Sequence, residues 1–213
     1  MRLAVFCSGS GSNFENIVRT CHYDEVVVMI HNKEKCGAAK RAMKLGIPHA
    51  WIDHKDEISM VKMLTAWNVD LIVLAGWMRI VSKHLIKEFP NRIINVHPSL
   101  LPKYKGLHAV EQAMDAGEEY TGCTVHYVTE ELDGGPIIIQ SKVPILENDD
   151  VKSLTKAIQR REYAILPLAI EYVKHELQKP NSGYLLQDDI YGWNGRPERE
   201  NMDEQVVRTQ QLC

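Results

Sequence analysis

Five short apolar runs with helix-patterned segments between them constrain this chain more than any other feature. They read LAVFC (3–7), VVVMI (26–30), HAWI (49–52), LIVLA (71–75) and RIINV (92–96). The runs are four or five residues long and lack polar alternation, which is the pattern of strands buried on both faces of a parallel sheet. The segments NFENIVRTC, GAAKRAMKLG, EISMVKMLTAWN and SKHLIKEF repeat their apolar residues at three and four, the spacing of one helix face. Ser82 is placed to cap the last of these and Gly46 to end the second. Strand and helix in alternation predict an α/β protein with a doubly wound, mostly parallel open sheet.

Beyond Gly117 the pattern changes. CTVHYV and PIIIQSKVPI are strand-like with only TEELDGG between them, so antiparallel strands are predicted at the sheet edge. DDVKSLTKAIQRREYAILPLAIEYVKHELQ then reads as a long C-terminal helix, with Asp149 or Asp150 near its cap and Pro167 as a kink point. Residues 1–177 are expected to form one domain. Residues 178–213 are expected to be a polar extension, with at most a short helix over 198–211.

The chain has 213 residues, 45% of them hydrophobic, which is enough for one proper core. A net charge of −3 gives no field to gather nucleic acid or an anionic membrane. No apolar run nears the roughly 20 residues of a membrane span. The apolar start before Ser8 is too short for a signal-peptide core. Cysteines 7, 21, 36, 123 and 213 are odd in number and scattered, which argues against a disulfide framework or zinc site and for a reducing, cytoplasmic compartment.

Three stretches carry chemistry. CSGSGSNFENI leaves the first strand and opens the first helix, where glycines let backbone N–H groups approach an anion. Phe14 stands at the third position of a dinucleotide fingerprint and MIHNK supplies no acid for a ribose, so a phosphate monoester fits better than NAD. A tight turn with Asn13 as a cap is the competing structural reading. Asn95 and His97 end the fifth apolar run, two residues apart and so on one side of a strand. An amide can donate to an oxygen gaining charge and an imidazole can move a proton, although a pair of hydrogen-bonded strand-end residues would look the same. Asp133 precedes Gly-Gly-Pro, either as plain turn chemistry or as a carboxylate aimed at a histidine. Histidines 22, 31, 49, 54, 84, 126 and 175 form no metal-binding spacing; His126 reads as a satisfied or solvated strand residue, and Lys103 to Lys105 as a solvated loop.

Together, SGSGSN, GWMRIVS, NVHPSLLPKYKGLH, ELDGGP and QRREYAILPL resemble the folate-dependent formyltransferases, in order, over roughly residues 1–175. The resemblance implies a Rossmann-like fold with a phosphate-binding first half and a folate-binding second half. It implies transfer of a formyl group from 10-formyltetrahydrofolate, as cosubstrate, to the primary amine of glycinamide ribonucleotide in purine biosynthesis. It gives catalytic roles to Asn95 and protonated His97 at the oxyanion, and to Asp133 in proton transfer. Ribonucleotide contacts fall to Gly11, Ser12, Asn13, Gln159 and Glu162. Folate contacts fall to Met78, Arg79, Ile80 and Val81, with Arg79 facing the glutamate carboxylate. Val128, Thr129, Glu130, Glu131 and Leu132 would cover the pterin, and His108 is secondary. The resemblance implies small-molecule substrates; the histidine spacing, the broken fingerprint and the near-neutral charge argue against metal, NAD, nucleic acid and membrane, and a monomer or homodimer is expected. Lys105 stands where relatives often have Pro, and Thr124 where Ser is usual. A 10-formyltetrahydrofolate hydrolase, or a transferase acting on another amine, is the alternative.

Overall fold

In the computed structural model, which describes residues 1–179, seven strands form one sheet in the order β3-β2-β1-β4-β5-β6-β7. The strands are β1 (Arg2–Cys7), β2 (Glu25–His31), β3 (His49–Trp51), β4 (Leu71–Leu74), β5 (Ile93–His97), β6 (Tyr120–Tyr127) and β7 (Ile137–Pro144). The first five pair in parallel, and β6 and β7 continue the sheet antiparallel, as the change of pattern after Gly117 predicts. The helices are α1 (Ser12–Thr20), α2 (Gly37–Leu45), α3 (Glu57–Ala66), α4 (Lys83–Glu88), α5 (Ala109–Asp115) and α6 (Val151–Gln178).

The two-residue period of the strands divides the core. Leu3, Val5 and Cys7 of β1 pack with α1, α2, α5 and α6, whereas Ala4 and Phe6 turn to the other face against Met60, Leu64 and Leu85 of α3 and α4. This explains why the central runs carry no polar alternation: both faces are covered. HAWI differs from that expectation. Its β3 lies at the sheet edge with Trp51 55% exposed, because it has a neighbour on one side only.

Local signals hold at most helix ends. Ser82 Oγ accepts from Leu85 N at 3.2 Å, and Gly46 ends α2 in the left-handed conformation. Asp150 caps α6 through a reciprocal box with Ser153, and Pro167 is carried within that helix. Helix α5 has no counterpart among the predicted elements, because its seven residues follow a loop without strand-to-helix rhythm. Asn13 does not cap α1. Gly11 does so at φ 75°, and the Asn13 amide is used elsewhere. The helix expected over 198–211 lies outside the described residues. Among the described residues no helix is long and apolar enough to cross a membrane.

Strand order reverses between β1 and β4, and the crevice at their carboxyl ends is where open α/β sheets take ligands. The loops leaving these two strands are tied together there. Ser8 N donates to Gly76 O at 2.9 Å, and Met78 N donates to the buried Ser8 hydroxyl at 2.8 Å. Replacing Asp150 by Ala removes the carboxylate that accepts from Ser153 N and leaves only the backbone half of the box, Asp150 N to Ser153 Oγ. Urea unfolding is expected to show a loss of about 1 kcal/mol, the usual size of such a cap.

Candidate active site

Strand β5 ends at His97, where Pro98 stops the ladder, and β6 runs back beside it with Asn95 opposite His126 and His97 opposite Thr124. This register places two imidazoles and an amide on one edge. His126 Nδ1 lies 2.8 Å from the Tyr127 carbonyl and must donate to it, so in the neutral ring Nε2 accepts from Asn95 Nδ2 at 3.2 Å. His97 Nε2 likewise lies 2.8 Å from the Tyr104 carbonyl and donates to it. Each ring is thus held to a backbone carbonyl by one nitrogen and turns the other toward Asp133. His97 Nδ1 is 3.5 Å from Oδ2, and His126 Nε2 is 3.6 Å from Oδ1. These gaps are just beyond a direct hydrogen bond, and a small ring movement or one water closes them.

Asp133 sits in the β6–β7 turn at φ 46°, a left-handed conformation that Asp tolerates better than most residues. Its Oδ2 also accepts from Gly106 N at 2.8 Å. Burial, the largest influence, pushes the carboxyl up. Hydrogen bonding from the His126 ring and the Gly106 N–H, with the electrostatic influence of the His97 and His126 imidazoles, outweighs it and holds Asp133 below the usual carboxylate range. The turn is packed tightly: a Cβ on Gly135 would run into the Tyr127 carbonyl that anchors His126.

Loop 98–106 is fastened from beneath. The fully buried Thr124 hydroxyl donates to Ser99 O at 2.7 Å and accepts from Leu101 N and Gln140 Nε2 at 3.1 and 2.9 Å. Lys103 and Lys105 are not simply solvated. Lys103 pairs with Glu118 at 2.6 Å, and Lys105 with Glu131 at 2.7 Å, linking this loop to the β6–β7 turn.

At the other end of the crevice, Asn13 and Glu162 meet inside the molecule. Asn13 Nδ2 donates to Glu162 Oε2 at 2.8 Å, while the buried Asn13 Oδ1 has no protein partner. Burial raises the Glu162 carboxyl, and the Asn13 bond opposes that only in part. Gln159 is half-buried one helical turn before Glu162. Gly11 and Ser12 lie at the α1 N-terminus, which carries no side-chain cap. Met78, Arg79 and Ile80 are exposed in the loop after β4, with Val81 partly packed against the Phe6 side of the core. Val128 N is bonded to Ile93 O, and Thr129, Glu130, Glu131 and Leu132 are exposed on the loop leading to Asp133. His108 is not drawn into the cluster; its side chain is 75% exposed and faces Glu111 at 3.4 Å.

His126 is the functional candidate that spacing misses. It is buried within the cluster, and the signal for it is the cross-strand pairing with Asn95. Among the described residues no group of three or more His, Cys, Asp or Glu is arranged to hold a metal ion.

Fold and site define a doubly wound α/β protein with an amide, two imidazoles and a carboxylate converging at the carboxyl edge of its sheet. The formyl transferase family model matches residues 1–170, and the chain belongs to that family. Over 182 residues it is 43% identical to the trifunctional purine biosynthetic protein adenosine-3 of Drosophila melanogaster, aligning 79% of this chain but spanning only 14% of that relative. Over 183 residues it is 38% identical to the phosphoribosylglycinamide formyltransferase of Escherichia coli (strain K12), covering 81% of this chain and 86% of the relative. The crystal structure of glycinamide ribonucleotide transformylase 1 from Symbiobacterium toebii superposes with a TM-score of 0.79 at 38% identity, covering 82% and 88% of the two chains.

Two outcomes are expected from this geometry. Gly135→Ala must displace the Tyr127 carbonyl, and formyl-transfer turnover should fall roughly 10²-fold, the cost of about 1 Å of misplacement; an unchanged rate would show that the turn gives way freely. Glu162 has a folded pKa above its unfolded value. Its contribution to stability is therefore complete below the ordinary carboxylate pKa and is lost as pH rises through the raised one. Glu162→Gln keeps the acceptor for Asn13, so urea unfolding should move in the variant's favour as pH rises above about 4, the ordinary carboxylate pKa. A difference independent of pH would contradict the assignment.

Proposed function

We propose that this chain transfers the formyl group of 10-formyltetrahydrofolate to the primary amine of glycinamide ribonucleotide, in the cytoplasm, with residues 1–177 acting as one formyltransferase domain. The observation that carries the reading is the convergence of Asn95, His97 and His126 on Asp133. Attack of an amine on a formamide carbon produces an oxyanion, a cationic attacking nitrogen and a leaving nitrogen that must be protonated. An amide N–H of Asn95 and a proton on His97 Nδ1 are the donors for the oxyanion. Losing one such donor typically costs ~10²–10³ in rate. Asp133, charged at neutral pH, takes the proton released by the attacking amine, and the His97 imidazole beside its Oδ2 carries a proton to the leaving nitrogen. His126 adds to the expected trio by holding Asn95 in place.

The acceptor's phosphate suits the uncapped N–H groups at Gly11, Ser12 and Asn13. Its ribose hydroxyls suit Asn13 Oδ1 and the Glu162 carboxylate, with Gln159 beside them. The folate suits the exposed apolar side chains of Met78, Ile80 and Leu132, which are 54%, 78% and 53% exposed. Val81, Val128, Thr129, Glu130 and Glu131 frame it, and the Arg79 guanidinium is available to its glutamate carboxylate. His108 takes a secondary part at the rim. The donor supplies the formyl group; the chain's residues orient it and move protons.

Spectrophotometric formyl transfer with a 10-formylfolate donor, with and without glycinamide ribonucleotide, tests this. Turnover is expected to require the amine and to fall ~10²–10³-fold in Asn95→Ala and at least ~10²-fold in Asp133→Asn. Deformylation that proceeds equally well without the amine would reassign the chain to hydrolysis.

A further inference from the structure

The loop that receives the phosphate is shaped less by its own residues than by α2. Two hydrogen bonds and two close backbone approaches join them. Ala38 N donates to Gly9 O at 3.1 Å, and Arg41 Nε donates to Ser10 O at 2.9 Å. A Cβ at Gly11 would lie 2.6 Å from Ala38 Cα, and one at Gly37 would lie 2.9 Å from Ser10 Cα, so both glycines are needed for the elements to close on each other. A peptide unit is planar, with its C=O and N–H on opposite sides. Pulling the Gly9 and Ser10 carbonyls toward α2 therefore turns the N–H groups of Ser10 and Gly11 away from it. The Gly11 carbonyl is itself taken up by Glu15 N at 3.0 Å. The donors left facing outward are those an anion at the start of α1 would use.

Arg41 is fixed for this task. Its guanidinium also pairs with Glu15 of α1, which in turn holds Arg19 at 2.8 Å. One side chain thus bridges α2, the loop and α1. We infer that Arg41 is a positioning residue for the ribonucleotide phosphate: by holding the Ser10 carbonyl toward α2 it keeps that oxygen off the anion and the Gly11 N–H on it. The inference rests on the proposal that this loop takes the acceptor's phosphate.

Arg41→Ala and Arg41→Lys are compared with the wild-type full chain by steady-state kinetics in both substrates, with inorganic phosphate as a competitive probe and thermal unfolding alongside. Arg41→Ala should raise KM for glycinamide ribonucleotide about tenfold and weaken inhibition by phosphate to match, the loss expected of a charge-assisted hydrogen bond. Its kcat and its KM for the formylfolate should stay within about twofold of wild type, a margin smaller than one such bond. Arg41→Lys, which keeps the charge and one donor, should recover part of the difference. Constants for the ribonucleotide and phosphate that do not move would overturn the inference, as would a parallel loss of kcat, both KM values and melting temperature. Wild-type enzyme on which phosphate fails to compete with the ribonucleotide would instead remove the phosphate-loop reading itself.

Discussion

The antiparallel pairing of β5 with β6 decides what the rest of the molecule can do. A parallel neighbour would have left Asn95 and His97 as the polar end of one strand, with a crossover helix between them and the next element. A strand that runs back instead brings its own middle against that end, and His126 faces Asn95 as a consequence of register. The turn beyond β6 then returns Asp133 over the same edge. Neither imidazole depends on a flexible side chain for its orientation. Each is fixed by a main-chain carbonyl, Tyr127 for one and Tyr104 for the other, so the carboxylate meets rings that are already aimed.

Much of this could be read from the chain before any coordinates. The buried strands, the switch to antiparallel pairing and the α6 cap all rest on local signals: uninterrupted apolar runs, Asp at a helix start and Gly at a helix end. Asn95 and His97 could be grouped because residues two apart on a strand share a side. His126 could not, since its relation to Asn95 exists only once two strands 31 positions apart adopt one of several registers. The same limit hid Asn13 from its helix partner: the reading offered the amide as a cap, whereas a contact across 149 residues claims it. HAWI was misplaced for a related reason, because apolar composition does not say whether a strand has one neighbour or two. The roles of Arg79, His108 and the loop before Asp133 came from family resemblance alone; here these residues are exposed, and no local pattern marks them.

The two ends of the crevice solve different electrostatic problems. Around Asp133, donors are supplied until the charged form is favoured in spite of burial. Around Glu162 the opposite holds, with one amide bond against heavy desolvation. The first arrangement suits a group that must stay ionised while protons pass. The second suits a group whose hydrogen-bonding role is to meet neutral hydroxyls. One chain therefore holds one carboxyl below and another above the ordinary range, and the difference lies in their neighbours rather than in the acids themselves.

Surface loops generally absorb insertions and deletions at small entropic cost. The stretch after β5 lacks that freedom. His97 bonds the carbonyl seven residues ahead of it, Ser99 bonds that of Lys103 at 2.6 Å, and Thr124 pins Ser99 and Leu101 from below. The segment is a closed ring whose circumference sets the tilt of an imidazole. One residue more or fewer between His97 and Tyr104 would change the aim of the His97 ring before it changed the fold. Variation in length at this loop is therefore restricted by chemistry, although the loop lies in the kind of connection where chains usually diverge most readily.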